Sequence, residues 1–219
     1  MKIGFSFIVS LLLTVTLDIP MNLAENTFVI MVIRELMLGL IIGYISYAFF
    51  STFYVMGQII DMKIGFGMVN VIDPQHKVQV PLMGNFYYIF AFLFLLIIDG
   101  HHMIINALVD SYEFIPIGKF TLAQDTGFLL INILSKSFVT GFKLSAPIVA
   151  IVFITDILLG ILARTIPQMN VFVVGMPLKI LVGLFIIGLS IPIFYTITNG
   201  IFNGAAKEVY YFLKSFVEG

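Results

Sequence analysis

Any chemistry in this chain would have to come from a handful of residues. His101 and His102 follow Asp99 within a few positions, and His76 stands three positions after Asp73. Two imidazoles and a carboxylate are the ligand types of a transition-metal site, and the same groups can act as general acid and base. Their spacing argues against both roles. Neither cluster has the HExxH pattern that puts two imidazoles on one helix face, and rings at i and i+1 on a helix are expected to point apart. No metal, no cofactor and no catalytic residue is therefore assigned. A GxSxG elbow, a Walker loop and a GxGxxG turn are missing too, which leaves no route to an acyl-enzyme or to nucleotide hydrolysis. An intramembrane enzyme stays open only if folding gathers Asp99, His101 and His102 about a cavity.

The elements that must carry these residues are apolar. AVILMFWYC make up 60% of the 219 residues and DEKR 11%, with a mean hydropathy of +1.11, whereas soluble domains carry about a quarter charged residues. Water is not the main solvent of such a surface. The 11 basic residues are scattered from Lys2 to Lys214 against 12 acidic ones, so no nucleic-acid footprint exists. There is no cysteine to form disulfides, thiolate metal sites or nucleophiles. No Ser/Gly/Pro-rich linker divides the chain, and it reads as one all-α membrane domain over residues 1–219.

Charge-free stretches mark the candidate spans. Leu36 to Ile60 holds 25 such residues, Val78 to Ile98 holds 21 and Ile180 to Ala206 holds 27, each long enough to cross a bilayer. Ile180 to Ala206 contains 14 Leu, Ile, Val or Phe residues and gains about 4 to 8 kcal/mol on insertion. Thr126 to Ala163 is interrupted by Lys136, Lys143 and Asp156, and Pro147 predicts a kink or break, hence two shorter tilted helices. Asp99 to Asp125, with four acids against Lys119, points to an external face. Met1 to Leu17 has the charge pattern of a signal peptide but lacks a small-residue cleavage site, and is read as a retained, short helix.

Charges inside apolar context need partners. Arg34, Glu35, Asp156 and Lys179 are expected to pair across helices or to line a conduit. Gly39 with Gly43, Gly200 with Gly204, and Gly183 and Gly188 are candidates for close helix contacts, within the chain or between subunits. At the end, Val209, Phe212, Leu213, Phe216 and Val217 form the stripe of an amphipathic helix over 203–219, expected to lie along an interface or on a partner.

One connection is unusual. After the helical pattern stops near Gly65, the loop Gly65, Phe66, Gly67, Met68, Val69, Val71, Ile72, Asp73 is loaded with apolar side chains, although loops are normally polar. Two glycines allow unusual backbone angles, and Asp73 before Pro74 favours a turn. Such a loop must be buried on its own helices or must plug something. Hydrophobic constrictions close pores by dewetting, and methionine fills irregular gaps well. A faint internal echo relates Pro74, Gln75, Val78 and Val80 to Pro167, Gln168, Val171 and Val173.

Three ordered blocks, GQIIDMKIGFGMVNVIDPQ, IIDGHHMIINALVDSYEFIPIG and LGILARTIPQMNVFVVGMPLKILVG, resemble the FliR/SpaR family of type III export-gate subunits. The residues carrying the resemblance include Pro74, Asp99, Gly100, His101, Arg164, Pro167, Gln168, Phe172, Gly175 and Pro177, and it extends from Lys2 to about the C terminus. The family's pattern begins with one further helix. The resemblance implies a non-catalytic subunit that joins FliP-like and FliQ-like subunits in a ring of tilted helices, with an FlhB-like subunit as a further partner. It implies a place in the flagellar basal body in the bacterial inner membrane, where unfolded export substrates pass through the ring. The family's plug falls on Gly65 to Asp73, and much of the apolar surface would be covered by neighbouring subunits instead of lipid. The alternative is a small secondary transporter with its site at helices broken near Pro147 and Pro192.

Overall fold

A computed structural model describes residues 2–16, 28–68, 81–122, 125–168 and 170–214, and within these every regular element is helical. In order they are α1 (Lys2–Thr16), α2 (Phe28–Ile64), a short 3-10 turn (Phe66–Met68), α3 (Leu82–Ile97), α4 (Gly100–Phe114), α5 (Thr126–Thr165) and α6 (Val171–Lys214). The three long helices α2, α5 and α6 are apolar enough to cross a membrane.

The central helix is α2, whose buried residues recur from Leu38 to Ile64 with α3, α5 and α6 packed around it. It contains no proline and ends where Gly65, at φ +102°, donates its N–H to the Asp61 carbonyl at 3.1 Å. A glycine in that conformation ends a helix at little steric cost. Two core clusters meet along α2. One joins Ile42 and Ile45 to Ile133 on α5 and Phe212 on α6. The other centres on Phe194 of α6, whose ring lies 5.3 to 5.8 Å from Phe53, Tyr87, Phe90 and Phe94.

Several expectations are corrected. Thr126 to Thr165 is one helix of 40 residues running through Pro147, not two. A proline removes one ladder hydrogen bond, but the buried stripe Ser137, Gly141, Ser145, Ile148, Val152, Thr155 continues unbroken across it, so packing on both sides holds the helix together. Pro177 and Pro192 likewise lie inside the continuous 44-residue α6. The stretch Val78 to Ile98 yields a helix of only 16 residues, Leu82–Ile97, and the chain then turns by 75° into α4. Asp99 makes that turn at φ 55°, in the left-handed region that aspartate tolerates better than most residues. The C-terminal stripe is not a separate surface helix: through Lys214 it is the end of α6, and Val209, Phe212 and Leu213 are buried in the chain's own core. Lys136 pairs with Glu208, and the Tyr210 hydroxyl bonds Asp110, fastening this end to α5 and α4. Phe216 and Val217 lie outside the described residues.

Helix contacts are made by glycines with no regular spacing. A Cβ on Gly57 would meet the Met83 carbonyl oxygen at 2.4 Å and Gly84 Cα at 2.5 Å, and one on Gly141 would meet the Thr52 carbonyl oxygen at 2.7 Å. Gly183 faces the side chain of Ile64 and not its backbone, whereas Gly39, Gly43, Gly188 and Gly200 face open space within the described chain. Near the Gly57–Gly84 crossing, the buried Asp61 carboxylate accepts the backbone N–H of Met83 (2.9 and 3.0 Å) and of Gly84 (3.3 Å). The carboxylate of α2 thereby caps the first turn of α3, where unpaired amides and the helix dipole favour negative charge.

Length decides what surrounds the molecule. Exposed large apolar side chains run along α5 from Phe128 to Leu162, about 50 Å at 1.5 Å per residue. A hydrocarbon core of about 30 Å accommodates about 39 Å of helix even at a tilt of about 40°. At these lengths part of the apolar face reaches beyond a hydrocarbon core.

Gly57→Ala should force α2 and α3 apart at a cost of about 1 to 3 kcal/mol, read as a lower melting midpoint in detergent by circular dichroism. Gly39→Ala, with free space for its methyl, should melt within about 0.5 kcal/mol of the parent; equal melting of the two variants would contradict the crossing. Asp61→Ala should cost about 1 to 2 kcal/mol, and Asp61→Asn, which keeps an acceptor, should cost less in the same measurement.

Candidate functional site

The expected site residues lie at three connections: the loop after α2, the α3–α4 break and the α5–α6 hairpin. At the first, α2 ends at Ile64 as the residues indicate, Gly65 takes its positive φ, and Phe66, Gly67 and Met68 form the 3-10 turn. Phe66 packs against the core cluster around Phe53 and Ile64. Val69, Val71, Ile72, Asp73 and Pro74 lie outside the described residues, as do His76 and the first half of the internal echo. What is described fixes the attachment of this segment. Its first residues follow Asp61 by one helical turn, and the described chain resumes at Pro81, two residues before the first of the two amides that Asp61 binds. Both feet of the loop are held by one buried carboxylate. Asp61 was not singled out from the sequence; the available signal is a lone acid beside Ile59 and Ile60, four residues before a helix-ending glycine.

The embedded charges divide. Lys179 forms an ion pair with Asp156 between α6 and α5, both side chains about one third exposed (28% and 35%), in a cleft with Phe172 and Gly175. That pairing matches expectation. Arg34 and Glu35 do not pair with opposite charges among the described residues. The Arg34 guanidinium donates to the Gly118 carbonyl at 2.8 Å, and Glu35 accepts the Gly118 N–H at 2.8 Å. The two side chains pin the turn after α4 to the start of α2, with Gly118 at φ +77° and Met31 pressed against it. The turn offers Arg34 a carbonyl and Glu35 an amide side by side, and the Tyr112 hydroxyl of α4 also bonds Glu35. Lys143, in the middle of α5, is exposed and has no partner among the described residues.

At the hairpin, Asn170 caps α6 by accepting from Phe172 and Val173 at 3.2 and 3.4 Å. Arg164, Pro167, Gln168, Phe172 and Pro177 are exposed there, Phe172 at 64%. Only Gly175 packs inside this chain, against Leu159. The block presents its side chains outward instead of building an internal site.

The α3–α4 break overturns one expectation. The His101 and His102 rings do not diverge: their centroids are 4.2 Å apart, and one ligand atom from each of Asp99, His101 and His102 lies within 4.8 Å of the others. Adjacent positions differ by about 100° around a helix, but both histidines stand in the first turn of α4 and their side-chain rotamers bring the two rings together. Gly100 is buried against Leu95, whose Cδ1 would lie 2.7 Å from an added Cβ.

Comparison with known proteins agrees with this architecture. The family model described as bacterial export proteins, family 1, matches residues 1–205. The chain is 34% identical over 206 residues to the flagellar biosynthetic protein FliR of Bacillus subtilis (strain 168), covering 92% of this chain and 80% of that protein. To the FliR of Aquifex aeolicus (strain VF5) it is 31% identical over 194 residues, 87% and 75% of the two chains. To that of Escherichia coli (strain K12) it is 26% identical over 171 residues, 78% and 66% of the two. A match over nearly the whole chain, on a fold of long apolar helices, means that this chain belongs to family 1 of the bacterial export proteins.

Proposed function

We infer that this chain is a membrane component of a flagellar protein export gate, and we propose that it forms part of the conduit wall and supplies its seal. The observation that carries the reading is the apolar face of α5, which is longer than a bilayer can cover and, in a member of an export family, has to rest on sister subunits. FliP-like and FliQ-like subunits are the proposed neighbours within the ring, an FlhB-like subunit a further partner, and unfolded flagellar subunits the cargo. The site is the inner membrane at the flagellar basal body. The chain's part is non-catalytic: it shapes and closes a passage, while the energy for transport is supplied elsewhere in the apparatus.

The seal is the segment from Gly65 to Asp73. Its support is chemical: Phe66, Met68, Val69, Val71 and Ile72 offer apolar bulk to a constriction that excludes water, and the Asp61 clamp holds the ends of the loop in place. The transporter reading needs discontinuous helices at Pro147 and Pro192, and both prolines lie inside unbroken helices. It is not carried further.

Deleting Val69 to Ile72 in the complete gate, reconstituted in planar bilayers, should raise the resting small-ion conductance by about tenfold or more, as loss of a dewetted constriction opens a water path. Conductance equal to that of the parent gate would refute the seal. The subunit made without its partners should aggregate in mild detergent and become monodisperse on coexpression with them; a stable, solitary chain would refute the wall role.

A further inference from the structure

We propose that Asp99, His101 and His102 form a binding site for a divalent transition-metal ion of the zinc class at the break between α3 and α4. Three independent observations point to it. One donor atom from each residue already lies within 4.8 Å of the other two. Asp99 occupies the N-cap position of α4, where an aspartate usually accepts a hydrogen bond from its own helix, yet its side chain makes no capping bond. The Nδ1 atom of His101 is buried and has no hydrogen-bond partner among the described residues. An unpaired buried polar atom costs about 1 to 3 kcal/mol, and no neighbouring side chain among the described residues competes for that nitrogen.

The donor set selects the ion. Two imidazoles and one carboxylate suit zinc and its transition-metal neighbours, whereas magnesium and calcium prefer oxygen ligands and water. Around a tetrahedral ion with bonds of about 2.1 Å, donors stand about 3.4 Å apart, so closing from 4.8 Å needs modest side-chain rotation. The exposed side chains of Asp99 and His102 are free to make it. The backbone is already committed, with Asp99 in the left-handed conformation and Gly100 wedged on Leu95. Three protein ligands leave one position open for water or a fourth donor. Because Asp99 belongs to the linker and the histidines to the first turn of α4, the ion would clamp the 75° bend between the helices.

The test uses the full chain, copurified with its partners in mild detergent, stripped with a chelator and titrated with Zn2+ against a chromophoric competitor. The expected result is one equivalent of Zn2+ bound per chain. His101→Ala, His102→Ala and Asp99→Asn should each weaken binding at least about tenfold, since even outer-shell partners of a metal ligand are worth about 10- to 100-fold. A second readout needs no variant: Zn2+, but not Mg2+, should protect both histidines of the parent chain from carbethoxylation, scored by peptide mass. Absence of stoichiometric binding, undiminished binding by the His101→Ala/His102→Ala double variant, or no protection in the parent chain would each overturn the site.

Discussion

The structure depends on a mismatch of lengths. α5 presents large apolar side chains over a span that no ordinary tilt brings within a hydrocarbon core, and α6 is longer still. Lipid solvates only part of such a surface, and water solvates none of it well. The exposed Lys143 in the middle of α5, unpaired among the described residues, makes the same point from the polar side, because a lone cation at mid-membrane costs about 3 kcal/mol. An apolar run of this length with a charge inside it is matched neither by lipid alone nor by water alone.

Within the chain, the decisive contacts are made where side chains are missing. Gly57 against Gly84 and Gly141 against Thr52 bring backbones closer than any Cβ would permit, in the way that small residues substitute for a hydrophobic driving force between membrane helices. The aromatic group around Phe194 then fills the space that these crossings define. Close backbone contact at one level and ring packing at the next bury one face of α2 from Leu38 to Ile64, while the outer faces of α5 and α6 remain apolar and open.

Much of this could be read from residue order, and the failures have physical causes. Runs free of charge located α2 and α6, because desolvating an ion is costly wherever the helix sits. Pro147 misled because the weight of a proline depends on the neighbours, and the stripe from Ser137 to Thr155 packs on both sides of it. The terminal stripe ending at Leu213 correctly announced a face that needs covering, but periodicity does not tell what covers it, and the cover is this chain's own core. The divergence expected of His101 and His102 considered only the backbone directions of adjacent helical positions, whereas the rings meet through their side-chain torsions. Gly57, Gly84 and Asp61 escaped because their meaning is relational: each matters through a residue more than twenty positions away. Of the candidate loop, composition and the ending of α2 before Gly65 were legible.

The Asp61 carboxylate has a mechanical corollary. With Asp61 joining the end of α2 to the start of α3, the two helix ends are buckled together at a single point. The grip runs directly from one helix to the other, so the register of α2 and α3 at this crossing is set without recourse to the residues that connect them.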